Sequence, residues 1–116
     1  MKRALMALAL TLCVSAQANA ATIFGGGNAR CSALINADAF HVNNGNMQWF
    51  IGFITASAIF GEDIAKSKGG TAQIVRSLEE HDENSLVMMA SNECRLHPNQ
   101  YLYEVAQTWI VRLSRP

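Results

Sequence analysis

Cysteine, histidine and clustered carboxylates are the residues of this chain that could carry chemistry. The cysteines are Cys13, Cys31 and Cys94, and no two of them stand at the C-x-x-C spacing of a redox centre or a zinc knuckle. His41 lies in the polar run His41-Val42-Asn43-Asn44-Gly45-Asn46, where an imidazole is expected to be solvated. His81 stands in the one dense charge cluster, Glu79-Glu80-His81-Asp82-Glu83. Consecutive residues cannot all face one ion, and no second histidine follows at i+4. The cluster therefore reads as a solvated corner between helices. An enzyme needs a converging set of titratable groups. The chain has no H-E-x-x-H, no nucleophile elbow in a Ser-His-Asp order and no motif that places two carboxylates together. Cys94 would serve as a nucleophile only as a free thiol. The expectation is a non-enzymatic protein with no catalytic residues, no metal and no cofactor.

The segment that decides the fate of the cysteines is the N-terminus. Lys2 and Arg3 precede an apolar run from Ala4 to Val14, and Ala18-Asn19-Ala20 supplies the small-x-small pattern of a signal-peptidase site. Residues 1–20 read as a signal peptide cleaved before Ala21, its apolar part too short to remain as an anchor. Leu12 stands before Cys13, where lipoprotein processing wants a small side chain, so Cys13 leaves with the leader. The expected location is the periplasm. Cleavage leaves Cys31 and Cys94, and two cysteines in an oxidising compartment read as one disulfide. The nine lysines and arginines less Lys2 and Arg3 make seven, against nine acidic residues, a net charge of −2. That balance shows no bias toward nucleic acid or a membrane surface.

The elements that must position these residues are helical. Met47 to Phe60, MQWFIGFITASAIF, is fourteen residues without a charge. Met47, Phe50, Ile51, Ile54 and Ala58 follow the i, i+3, i+4, i+7 series, and the other faces are apolar too. A helix apolar all round is buried on most sides. It is also well short of the ~20 residues that span a bilayer. Asn46 is the expected cap, and Gly52, with Ala56 one turn on, suggests close approach of another helix. Residues 21–27, ATIFGGG, read as a flexible lead-in, because ordering three glycines is entropically costly. A first helix is expected from Asn28 to about Ala39, a short one from Thr71 with Ile74, Val75 and Leu78 inward, and a fourth capped by Asp82 or Asn84 and leading to Cys94. A last helix is expected from about Pro98 to Leu113, with Leu102, Val105, Ala106, Trp109 and Leu113 on one face. Gly61-Glu62-Asp63 and Lys66 to Gly70 read as loop. The fold expected for 28–116 is a compact all-α domain of four or five helices with one disulfide. Its core would hold Trp49, Phe50, Phe53, Ile54, Leu102, Ala106 and Trp109, and Phe53→Ala would cost ~3 to 5 kcal/mol.

This order of features resembles a known family. A signal peptide leads to Cys31 in GNARCSAL, then to an aromatic helix with W-x-x-G from Trp49 to Gly52. A second cysteine stands just before His-Pro, C94-R-L-H97-P98, ahead of a Tyr- and Ala-bearing last helix. The pattern resembles the HdeA/HdeB-type small periplasmic acid-stress chaperones, all-α proteins with one disulfide that hold aggregation-prone clients at low pH. A second resemblance is to type six secretion immunity proteins of the Rap/Tai group. It rests on Gly27-Asn28 to Cys31, on FIGFITA and on the His-Pro, while the additional cysteines usual in that group are missing here.

The first resemblance implies a protein that hides its apolar helix at neutral pH, for example in a homodimer. Protonation of the carboxylates and of three histidines in acid would then raise the positive charge, loosen the fold and expose Trp49, Phe50 and Phe53 to unfolded clients. The second implies a folded module that neutralises one secreted toxin or hydrolase by surface complementarity. Either way the expected partner is a protein, and the identity of that partner is not written in the residues.

Overall fold

The computed structural model describes residues 25–116. The expected signal peptide, its cleavage site, Cys13 and residues 21–24 of the lead-in lie outside the described residues. The described chain is all-α. A 3-10 turn, Gly25–Asn28, precedes α1 (Cys31–Asn36), α2 (Gly45–Ser67), α3 (Gln73–Leu78), α4 (Glu83–Leu96) and α5 (Leu102–Leu113).

The central helix is longer than its uncharged stretch. Asn44, not Asn46, caps it: the Asn44 side-chain oxygen accepts the N–H groups of Asn46 and Met47 at 2.9 and 3.4 Å. Gly61-Glu62-Asp63 does not end α2, because Glu62 and Lys66 stand one turn apart on a helical face and pair at 3.9 Å. The stop comes at Gly69, whose φ of 79° is left-handed. There the N–H of Gly70 reaches back to the Ala65 carbonyl at 3.0 Å, a Schellman closure. Met47, Phe50, Ile51, Ile54 and Ala58 form the buried stripe of α2. The expectation of burial on most sides fails, since Ile59 is 60% exposed, Phe60 69% and Ile64 47%. Gly52 has no close neighbour either: a Cβ there would meet nothing within 4 Å. No other helix of the described residues approaches it, and its cost of ~1 kcal/mol relative to Ala goes uncompensated within the chain.

The first helix is shorter than expected at both ends. Its N-cap is Arg30 rather than Asn28. Asp38 adopts a φ of 49°, and the Ala39 N–H bonds the Leu34 carbonyl at 3.0 Å, which closes α1 before Ala39 and turns that residue into the core. No side chain caps the N-terminus of α1. Backbone carbonyls do so instead: Gln100 accepts from Cys31 N–H and Pro98 from Ser32 N–H, both at 2.8 Å. This explains why α5 starts at Leu102 and not near Pro98. Residues 97–100 form a turn, closed by the Gln100 N–H on the His97 carbonyl at 3.0 Å, and Arg30 and Tyr101 are bridged beyond it, so the Pro98 and Gln100 carbonyls are engaged outside any helix of their own. Glu104 then closes the start of α5 by accepting the Tyr101 N–H at 2.8 Å.

α2 packs on the 3-10 turn, α3, α4 and α5, and α1 packs on α4. Cys31 and Cys94, both fully buried, are joined in a disulfide with their Cα atoms 4.9 Å apart. The short helix α3 turns Ile74 inward and keeps Val75 and Leu78 half-buried. Ser77 ties it to α5 by donating to the Leu113 carbonyl at 2.9 Å.

Asp82 caps α4, its carboxylate accepting the Ser85 N–H at 2.7 Å. That backbone bond, aided by the Ser85 hydroxyl, holds the Asp82 carboxyl below its ordinary value of 3.8. A lowered folded-state pKa contributes stability above the unfolded value, and the contribution is lost as pH falls through the folded one. Asp82→Ala should therefore lower the melting temperature at pH 7, and the gap to the parent protein should close toward pH 2. A gap that stays constant with pH would show that the charge of Asp82 has no part in the cap.

Candidate functional site

The three aromatics expected to meet clients are held in or against the core. Phe50 is fully buried in α2. Trp49 and Phe53 are half-buried and stacked, with ring centroids 5.0 Å apart. What holds Trp49 is the glycine run. Gly25, Gly26 and Gly27 pack on it: a Cβ on Gly27 would overlap the Trp49 six-membered ring, while one on Gly26 would lie 2.9 Å from the Asn46 Cα. Asn46 completes the clasp by donating its side-chain N–H to the Gly26 carbonyl at 2.9 Å. The glycines are thus a lid on an indole, and the contact energy offsets the entropy that argued for a flexible tail.

The apolar surface that does reach solvent lies farther along α2. A groove of about 440 Å³ runs between α2 and α3. Thr55, Ala58, Ile59, Val75 and Leu78 line its floor, with Glu62, Asp63, Lys66 and Glu79 around the rim. Glu62 also builds the groove, since its carboxylate accepts the Ala72 N–H at 2.9 Å and so fixes where α3 begins. Nothing in the sequence of α3 alone announces this site. Ile59 and Leu78 are nineteen positions apart, and only the Gly69 turn folds one back on the other.

A second feature without a local sequence signal is Glu93, buried on α4 at 5% exposure. Arg112 of α5 binds both of its carboxylate oxygens, at 2.9 and 3.4 Å, and His97 Nε2 stands 3.6 Å away. The guanidinium also lies over the Trp109 ring, 4.9 Å from its centroid. A buried charge of this kind is tolerated because it is paired. The remaining histidines sit apart: His41 is exposed beside Asp38 at 3.5 Å, and His81 is exposed at the corner before α4. Among the described residues no three His, Cys, Asp or Glu side chains are grouped to hold a metal ion. No helix of the described residues is long and apolar enough to cross a membrane.

The chain matches no protein-family model, no curated protein and no solved structure.

Proposed function

We propose that this chain is a small exported, non-enzymatic binding protein that engages one folded protein partner at neutral pH through the groove between α2 and α3. The observation that carries this reading is the division of its apolar residues. Trp49 and Phe50 are clasped or buried, while Ile59 and the half-buried Val75 and Leu78 line an open, preformed groove. A preformed apolar floor with a charged rim favours a partner of fixed shape over a mixture of unfolded clients. Its test is recovery of one protein in a stoichiometric complex from the secreted and periplasmic fractions at pH 7. Leu78→Lys, at the floor, should weaken that complex at least a hundredfold with the fold intact. A complex indifferent to Leu78→Lys would place the partner elsewhere.

A second reading, the acid-activated chaperone, is favoured by Glu93. The buried Glu93 carboxylate joins α4 to Arg112 of α5 next to the core, with His97 beside it. Glu93→Gln takes the charge out of that link. The chaperone reading expects suppression of client aggregation at pH 3 but not at pH 7 in the parent protein, and at both values in Glu93→Gln. Activity in neither protein at either pH would remove it.

A further inference from the structure

Resting on the groove between α2 and α3 as the partner site, we infer that the element seated there is a basic amphipathic α-helix. Two of its lysines or arginines stand seven positions apart and bracket an apolar pair. Three observations carry this. First, the groove is walled by helices alone. On α2 the lining residues Thr55, Ile59 and Glu62 fall at i, i+4 and i+7, and on α3 and its C-cap Val75, Leu78 and Glu79 fall at i, i+3 and i+4. Such ridges seat the ridges of a third helix. An extended segment would lay unpaired backbone N–H and C=O groups on an apolar floor, because neither wall offers a strand edge to bond them. A helix satisfies those groups within itself.

Second, the rim charges have one prevailing sign and a helical spacing. Glu62, Asp63 and Glu79 face Lys66, three carboxylates to one ammonium, and Lys66 is already paired with Glu62 at 3.9 Å. Asp63 and Glu79 are exposed and make no ion pair among the described residues. They mark the two ends of the apolar floor. Asp63 adjoins Glu62, which holds the Ala72 N–H where α3 begins, and Glu79 stands where α3 ends. From Ala72 to Glu79 the helix rises ~10 Å, and a partner helix returns to the same face after the same seven residues. Cations at that interval meet both carboxylates. Apolar side chains three and four positions in then drop between them onto Ile59, Val75 and Leu78.

Third, the approach to the groove is acidic. Glu80, Asp82 and Glu83, all exposed, continue the sign of Glu79 outward from that end. No lysine or arginine stands between Arg76 and Arg95 to offset them. The cluster that reads as a solvated corner thereby acquires a use. It draws a basic segment toward the groove and repels an acidic one.

Labelled synthetic peptides of about fifteen residues, followed by fluorescence anisotropy against the disulfide-bonded protein at pH 7, test this. One peptide carries two leucines between lysines seven positions apart, a second has glutamates for those lysines, and a third keeps the lysines but has a central proline. The lysine peptide should bind roughly tenfold more tightly than the glutamate peptide, and more weakly as salt rises. The proline peptide should not bind. Asp63→Lys with Glu79→Lys should exchange the preference at an unchanged melting temperature, since both side chains are exposed and unpaired. Leu78→Asn, which takes apolar surface from the floor and leaves the charge alone, should abolish binding with helix content held. Equal affinity for the lysine and glutamate peptides, lost for both in Leu78→Asn, overturns the basic partner and leaves the groove as the partner site. A lysine peptide that binds Leu78→Asn as well as the parent protein is held by charge alone, which overturns both readings. Equal binding of the proline peptide gives the groove to an extended segment, and Leu78-dependent self-association in sedimentation equilibrium gives it to a second copy; either overturns the basic helix. Absence of binding by every peptide up to about 1 mM refutes it too, whether or not one protein is recovered at the groove from the secreted fraction.

Discussion

Opening the Cys31–Cys94 bond is expected to cost the domain ~4 kcal/mol, because the bond closes a long loop, its cysteines 63 positions apart, in the unfolded chain. A domain of this size seldom holds more than ~5 to 10 kcal/mol in all, so the reduced protein should be near its folding threshold. The bond also sits where other long-range links converge. The Cys31 N–H is held by Gln100, and Leu102 N–H by Ala29 at 2.9 Å, so loosening the sulfurs frees the N-terminus of α1 and the start of α5 together. Cys31→Ala and Cys94→Ala should be equally damaging, since each removes the same link from the same buried place. Urea unfolding with and without reductant measures the effect. A loss below ~1 kcal/mol, or a free thiol at Cys31 or Cys94 in the denatured, unreduced protein, would contradict the role assigned to the bond.

Phe50→Ala is expected to cost a further ~3 to 5 kcal/mol, as large-to-small changes at fully buried aromatics do. Among the described residues Phe50 is the largest side chain with no exposure, and α2 carries it into the contact with α4 and α5. Phe53→Ala, to which the sequence pattern assigned that same cost, should lose roughly half as much, because Phe53 is only half-buried, its ring stacked on Trp49 at the edge of the core. The comparison separates core from surface on a single helix. If Phe53→Ala proved the more damaging of the two, the orientation of α2 would be wrong. Denaturant melts of both variants decide it.

The buried stripe of α2 could be read because periodicity is a local property. Met47, Phe50, Ile51, Ile54 and Ala58 lie on one face whatever packs against them. Asp82 was legible for the same reason, its carboxylate being spent three residues away. Burial of the other faces was not, since absence of charge marks a surface that avoids water without saying what covers it. Ile59, Phe60 and Ile64 are the cost of equating the two. The longer errors come from distant partners. Glycines 25–27 read as loose until Trp49 is brought to them, and Pro98 reads as a helix start until Ser32 claims its carbonyl. Glu93 sits between Asn92 and Cys94 with no nearby sign that Arg112, nineteen residues on, will meet it. The groove, assembled from α2 and α3 across the Gly69 turn, belongs to the same class.

The link between the ends of this fold also sets an order of events during delivery of the chain. Cys31 leads, and its partner follows 63 residues later, as do the carbonyls of Pro98 and Gln100 that cap its helix. A polypeptide emerging N-terminus first therefore holds out an unpaired thiol and the bare apolar stripe of α2 until α4 and α5 arrive to cover them. It requires shelter for an exposed helix, and an oxidant that waits for the right cysteine.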